Sequence, residues 1–275
     1  MLGLLLVTSL LQSGSRQASC CSGMAQFAND PTFLEAHLSP VPFSFVAKSG
    51  HMVHWKAADG KEAHGFYVAP KKGNKASLIL VHEYWGLNDY MKREAERIND
   101  KAGYGVLAVD LYDGKVTTDS KVAGEYMQGV NSTRATAIVK TAVADLKKGD
   151  FGAKASKIGT IGFCFGGGWS FNSAVQGGRN VQACVMFYGM PDTSAEAMAK
   201  LKAPVLMIHA KKDQWINDDV VAKFSTAMAA SKHSLQVLHY DAYHAFANPS
   251  NPHYDQKDAN DAMAHAYAFF REHLK

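Results

Sequence analysis

Cysteine is scarce in this chain of 275 residues: there are four, too few for a disulfide scaffold. Cys20 and Cys21 are adjacent near the N-terminus, Cys184 lies in the apolar run V-Q-A-C-V-M-F-Y as a small core hydrophobe, and Cys164 stands among glycines. A charge excess of one sign is also missing. The net charge is +4 and the Lys and Arg residues are spread out, which excludes a basic nucleic-acid or membrane-surface face. No apolar run is long enough to span a bilayer, since the one at Met1–Leu11 stops far short of that length. There is no H-E-x-x-H and no paired-ligand spacing among His51, His54, His64, His253 and His265, so no metal is assigned. Internal repeats, low-complexity linkers and a composition break after Val41 are absent too, which makes residues 41–275 one domain.

The N-terminus reads as an export segment over residues 1–23, with residues 24–40 as an extension. Met1–Leu11 resembles a signal-peptide apolar core followed by the polar Gln12–Ser19, although no Lys or Arg precedes it and no A-x-A site follows. Gln17-Ala18-Ser19-Cys20 has the small residues of a lipobox without its leading Leu, so a lipid-anchored periplasmic form is one expectation. A true start at Met24 would instead leave a cytoplasmic protein.

What is present is a regular alternation. The runs M-V-H-W-K and H-G-F-Y-V flank Asp59-Gly60 and predict a β-hairpin. Ser77–His82 follows as a buried strand. The spacing then predicts a helix over Asp89–Ala102, a strand over Gly105–Asp110 and helices across Ser120–Lys148. Strands over Val181–Tyr188, Pro204–Ala210 and Leu235–Tyr240 come next, with helices near Asn217–Ala230 and Gln256–Leu274. Strands alternating with helices imply an α/β fold with a mostly parallel central sheet and helices on both faces. In such sheets functional groups gather at the carboxyl ends of the strands.

The segment K-I-G-T-I-G-F-C-F-G-G-G at Lys157–Gly168 organises the rest. Its β-branched residues suit a short buried strand, and Gly162-Phe163-Cys164-Phe165-Gly166 has the strand–turn–helix context of a nucleophile elbow with cysteine in place of serine. The glycines let strand and helix approach closely around a strained central residue. The thiol there projects above the sheet at a helix N-terminus, whose partial positive charge favours a thiolate. A nucleophile needs a base and the base an orienting acid. Asp213 and His244 follow the ends of two later strands, in the chain order expected behind Cys164; Asp192 is the second candidate acid.

Together V-H-E-Y-W-G-L-N at Val81–Asn88, D-L-Y at Asp110–Tyr112, G-F-C-F-G-G at Gly162–Gly167, Asp213 and Y-H-A-F-A at Tyr243–Ala247 resemble the dienelactone hydrolases, from about Val41 to the C-terminus. The resemblance implies an α/β-hydrolase fold without a large cap domain and a Cys164–His244–Asp213 triad. It also places a carboxylate, Glu83, against the cysteine thiol, and oxyanion-hole N–H groups at Tyr84 and Phe165. The expected activity is a cofactor-free carboxylesterase or lactonase acting on a small ester or lactone. The expected assembly is a monomer or weak dimer, with no nucleic-acid partner. Two arginines hold the substrate carboxylate in the best-known members; here the corresponding places read Asp113-Gly114-Lys115 and Asn248. Lys115 is a point charge and no bidentate fork, so it replaces them only in part. Trp85, Tyr243 and Phe246, with Tyr84 and Phe165, are candidates to line an apolar mouth. The alternatives are a non-catalytic homologue that only binds and a thiol redox protein.

Overall fold

The computed structural model describes residues 23–275. The export reading of residues 1–23 therefore lies, but for its last residue, outside the described residues. Eight strands form one sheet: β1 (His51–Lys56), β2 (Glu62–Val68), β3 (Ala76–Val81), β4 (Gly105–Val109), β5 (Lys157–Phe163), β6 (Ala183–Phe187), β7 (Val205–Ala210) and β8 (Leu235–Tyr240). Their order is β1-β2-β4-β3-β5-β6-β7-β8. The hairpin pairs antiparallel with His54 opposite His64, and β2 joins β4 antiparallel; every pairing from β4 to β8 is parallel. The residues of β3, β4 and β6 are buried throughout, as strands covered on both faces require. This is the predicted α/β-hydrolase architecture, without a large cap domain.

The helices are α1 (Pro31–Ala36), α2 (Asp89–Ala102), α3 (Ser120–Gln128), α4 (Ser132–Lys148), α5 (Phe165–Gly177), α6 (Ala195–Lys200), α7 (Asp218–Ala230) and α8 (Gln256–His273). Local chemistry sets their ends. Asn88 caps α2 by accepting from Met91 N at 3.2 Å, and Gly103 closes it at φ 76°, a left-handed conformation that glycine adopts without penalty. None of the described helices is long and apolar enough to cross a membrane.

One element was not legible in the sequence reading. Residues 24–37 do not trail away from the domain: Met24, Ala28 and Phe33 belong to the same hydrophobic core as the sheet. Asp30 caps α1 by accepting from Thr32 N at 2.9 Å, with Pro31 at the first helical position, where its missing N–H costs nothing. Ser120 Oγ donates to Leu34 O at 3.1 Å and Asn251 Nδ2 to Ala36 O at 3.1 Å, pinning the helix across the carboxyl edge of the sheet.

Candidate active site

Cys164 sits between β5 and α5 at φ 54° and ψ −121°, a conformation disfavoured for a side chain with a Cβ. Its surroundings over-determine it. A Cβ on Gly162 would lie 2.0 Å from Gly166 O, and one on Gly166 would lie 2.3 Å from Val81 O, so only glycine lets the first turn of α5 press onto the end of β3. The helix starts at Phe165, and its first turn keeps glycines, poor helix formers, because they allow this close approach. Tyr188 (φ 35°) and Ala245 (φ 63°), beside the elbow strand and the histidine, are also left-handed. Strain thus gathers at this end of the sheet.

Cys164, His244 and Asp213 come together as the chain order predicts. His244 Nδ1 donates to Asp213 Oδ2 at 2.5 Å, and Asp213 Oδ1 accepts from the backbone N–H of Trp215 and of Ile216, both at 2.9 Å. Burial alone would raise the Asp213 pKa, but the His244 charge, its hydrogen bond and these amides hold it below the ordinary carboxylate value. Burial opposes charge on His244, yet the Asp213 carboxylate, followed by the Cys164 sulfur, keeps its pKa well above the ordinary value. The remaining ring nitrogen, Nε2, is buried with no oxygen or nitrogen partner and has the Cys164 sulfur beside it. Asp192 is not part of this group; its side chain accepts from Ser194 N at 2.9 Å in a loop.

The thiol's polar contact is one that sequence reasoning missed. His37 Nε2 lies 3.6 Å from Cys164 Sγ. His37 Nδ1 meets Phe33 O at 2.7 Å; a carbonyl only accepts, so Nδ1 carries the proton and Nε2 is a bare lone pair facing sulfur. Burial, and after it the charge on His244, pushes the His37 pKa down to about 3, so the ring is neutral. Phe33 wedges the segment in place, edge-on to Trp215 at 5.1 Å and to Tyr84 at 5.5 Å. Cys164 is 2% exposed and His244 4%: α1 closes the site. The available signal was the Asp-Pro-Thr start with an i, i+4 Phe33–His37 pair.

Glu83 follows β3 as expected, but its carboxylate is engaged by Asn248 Nδ2. Burial first of all raises its pKa to about 8, against the opposing pull of His244 and Asn248. At its other end Asn248 Oδ1 accepts from Ser250 N at 2.8 Å and Ser250 Oγ at 2.7 Å. Phe165 opens α5, where an N–H has no intrahelical acceptor, and Tyr84 is held by its hydroxyl donating to Ser120 O at 2.5 Å.

The other expected pocket residues divide. Trp85 lines a small cavity with Glu83, Phe163 and Asn248, and Arg93, which the sequence reading overlooked, lines it too. The Lys115 ammonium instead lies over the Tyr126 ring, 5.5 Å from its centroid. Tyr243 is half exposed and stacks on His253 at 4.6 Å, while Phe246 is wholly buried against Tyr188 and Tyr240. A sequence cannot tell a core aromatic from a rim aromatic on the same strand end.

Comparison with known proteins agrees with this architecture. The sequence profile described as "Dienelactone hydrolase family" matches residues 63–274. "Protein usf" of Aquifex pyrophilus is 31% identical over 232 residues, covering 82% of this chain and 99% of that protein. A protein of Aquifex aeolicus (strain VF5) named "Putative carboxymethylenebutenolidase" is 29% identical over 234 residues, covering 82% of this chain and all (100%) of its own. Among solved structures, a "Dienelactone Hydrolase-like Promiscuous Phospotriesterase P91 from Metagenomic Libraries" superposes with a TM-score of 0.71 at 22% identity, over 83% of this chain and 100% of the other. At that identity the likeness carries the fold.

Proposed function

Because the chain belongs to the dienelactone hydrolase family, we propose that it hydrolyses carboxylic esters or lactones through a thioester on Cys164. The observation that carries this reading is His244, fixed by Asp213 at Nδ1 and with Nε2 turned to a cysteine on a strained elbow. In the first half-reaction the one proton that Cys164 Sγ and His244 Nε2 hold between them rests on Nε2, and sulfur attacks the carbonyl carbon. The Tyr84 and Phe165 N–H groups receive the developing oxyanion, each on the order of 10²–10³-fold in rate. The alkoxide leaves with the proton from His244; water, deprotonated by the same nitrogen, then cleaves the thioester. Asp213 keeps the imidazole in the required tautomer.

Because α1 covers the thiol, substrate enters only when residues 24–37 move aside. The same burial disfavours the redox reading, which needs an accessible thiol. Incubation with an activated aryl ester followed by intact-mass measurement tests the proposal. An acyl adduct that maps to Cys164, and is absent in Cys164→Ala, is the expected result; turnover without an adduct and with an active Cys164→Ala variant would refute it. Export and a monomeric or weakly dimeric state complete the proposal. N-terminal sequencing of the secreted-fraction protein and light scattering check them.

A further inference from the structure

Three side chains converge where the N-terminal segment meets the elbow. One ligand atom from each of His37, Cys164 and His244 lies within 4.8 Å of the others, and all three residues are buried. His37 Nε2 stands 3.6 Å from the sulfur. A zinc-class ion bound to sulfur at ~2.3 Å and to imidazole at ~2.05 Å, with tetrahedral angles, sets an S···N separation of about 3.6 Å. The spacing is therefore already that of a coordination edge.

The outer contacts have the same character. A metal-binding imidazole presents one nitrogen to the ion and donates its other N–H to a carboxylate or a backbone carbonyl, which fixes tautomer and ring direction. Both arrangements occur here, since His244 Nδ1 bonds Asp213 Oδ2 at 2.5 Å and His37 Nδ1 bonds Phe33 O at 2.7 Å. His244 Nε2 is buried with no oxygen or nitrogen partner and faces only the Cys164 sulfur, which leaves a ligand position between them. Thiolate plus two imidazoles is a donor set suited to zinc and its soft or borderline neighbours rather than to magnesium or calcium.

We propose that His37, Cys164 and His244 form a binding site for a zinc-class divalent cation, with the fourth position open to water. Binding releases the one proton that the Cys164–His244 pair holds as the metal–sulfur and metal–nitrogen bonds form, and both imidazoles are neutral in the loaded site. The bound ion ties residues 24–37 to the elbow and occupies the sulfur lone pair and the histidine nitrogen together. Formation of the site does not depend on the hydrolytic reading; only the consequence that occupancy stops hydrolysis rests on it. The sequence gives no metal motif because its ligands come from positions 37, 164 and 244.

The full chain, freed of metal with a chelator, is titrated with Co²⁺ and then with Zn²⁺ in competition. We expect a tight equivalent with thiolate-to-cobalt charge transfer and tetrahedral visible bands, displaced by Zn²⁺, with a proton released per ion. Cys164→Ser, a near-isosteric change, abolishes the charge-transfer band. His37→Gln weakens binding on the order of 100-fold or more while the chelated variant keeps a cooperative thermal transition. Replacing His54 and His64, which with Glu62 form a separate, mostly exposed cluster, leaves the tight site unchanged. A wild-type titration without a thiolate band overturns the proposal. So does tight zinc retained by both Cys164→Ser and His37→Gln. These outcomes are independent of ester turnover, so a failed hydrolase assay and a failed metal site are told apart.

Discussion

Cys164 Sγ lies 3.6 Å from His37 Nε2, although 127 residues separate them in the chain. The nucleophile of the proposed reaction thus faces two imidazoles, one oriented by a carboxylate and one by a carbonyl. Only the first has an acid that stabilises its protonated form. His37, desolvated and beside His244, stays neutral.

This arrangement makes access to the thiol depend on α1. Phe33 is wholly buried between Trp215 and Tyr84. Phe33→Ala removes a contribution of about 3–5 kcal/mol to the packing of that segment, enough to favour local opening over global unfolding. We expect iodoacetamide to alkylate Cys164 slowly in the wild type and at least tenfold faster in Phe33→Ala, by mass spectrometry under native conditions. Equal rates would mean that the thiol is reached by a route that does not involve α1.

In the proposed mechanism Asp213, hydrogen-bonded to His244, is the orienting acid. Asp213→Asn keeps the volume but lets Nδ1 accept in place of donating, which favours the wrong imidazole tautomer; a fall in kcat of about 10³–10⁴-fold is expected. Asp192→Asn touches only a loop turn at Ser194 and leaves kcat within about threefold. Steady-state kinetics on an aryl ester compares the two; the reverse ranking would move the role to Asp192.

The sheet and the convergence of Cys164, His244 and Asp213 were legible because both rest on local rules: strand periodicity, glycine at a strained turn, and chain order at strand ends. Asp213 and His244 were legible since each follows its own strand. His37 was not, because nothing local to Asp30–His37 says that a six-residue helix will fold back over a site built from later positions. Lys115 and Asn248 were located in the chain but not in their partnerships. An ammonium over Tyr126 and an amide locked to Glu83 are tertiary outcomes that spacing does not encode.

Glu83 gives the pH dependence. Its pKa is raised from the ordinary 4.5 to about 8, with burial as the main cause. The folded state therefore holds this proton more tightly than the unfolded chain. Its contribution is fully present below about 4.5, falls as pH rises, and is gone once pH passes about 8. The slope is at most about 1.4 kcal/mol per pH unit for a single proton. Glu83→Gln keeps an amide able to accept from Asn248 and removes the titration. In urea unfolding at pH 5, 6.5 and 8, the wild-type stability should decline relative to the variant; parallel curves would show that Glu83 is ionised throughout.

Substrate choice is the sharpest consequence of where the cations lie. The Asn248 amide is spent on Glu83 and Ser250, and Gly114 has no side chain to offer. Lys115 is turned onto Tyr126. A bidentate, charge-assisted clamp on a substrate carboxylate, on the order of 1.5–3 kcal/mol per hydrogen bond, therefore has no guanidinium at Gly114, Lys115 or Asn248. Apolar surface is at hand instead: Val41, Phe43, Leu87 and Val116 line a groove that shares Asn88 with the cavity holding Glu83 and Trp85. We expect neutral short-chain or aryl esters to be turned over with higher kcat/KM than a lactone bearing a free carboxylate. Asn248→Arg would not restore the acid substrate, because the buried guanidinium would pair with Glu83 first. A matched ester and acid-bearing lactone, compared in wild type and Asn248→Arg, decides this. A tenfold wild-type preference for the acid would point to Arg93, whose side chain lines that cavity while its guanidinium sits 4.5 Å over the Phe43 ring; Arg93→Gln would then abolish the preference.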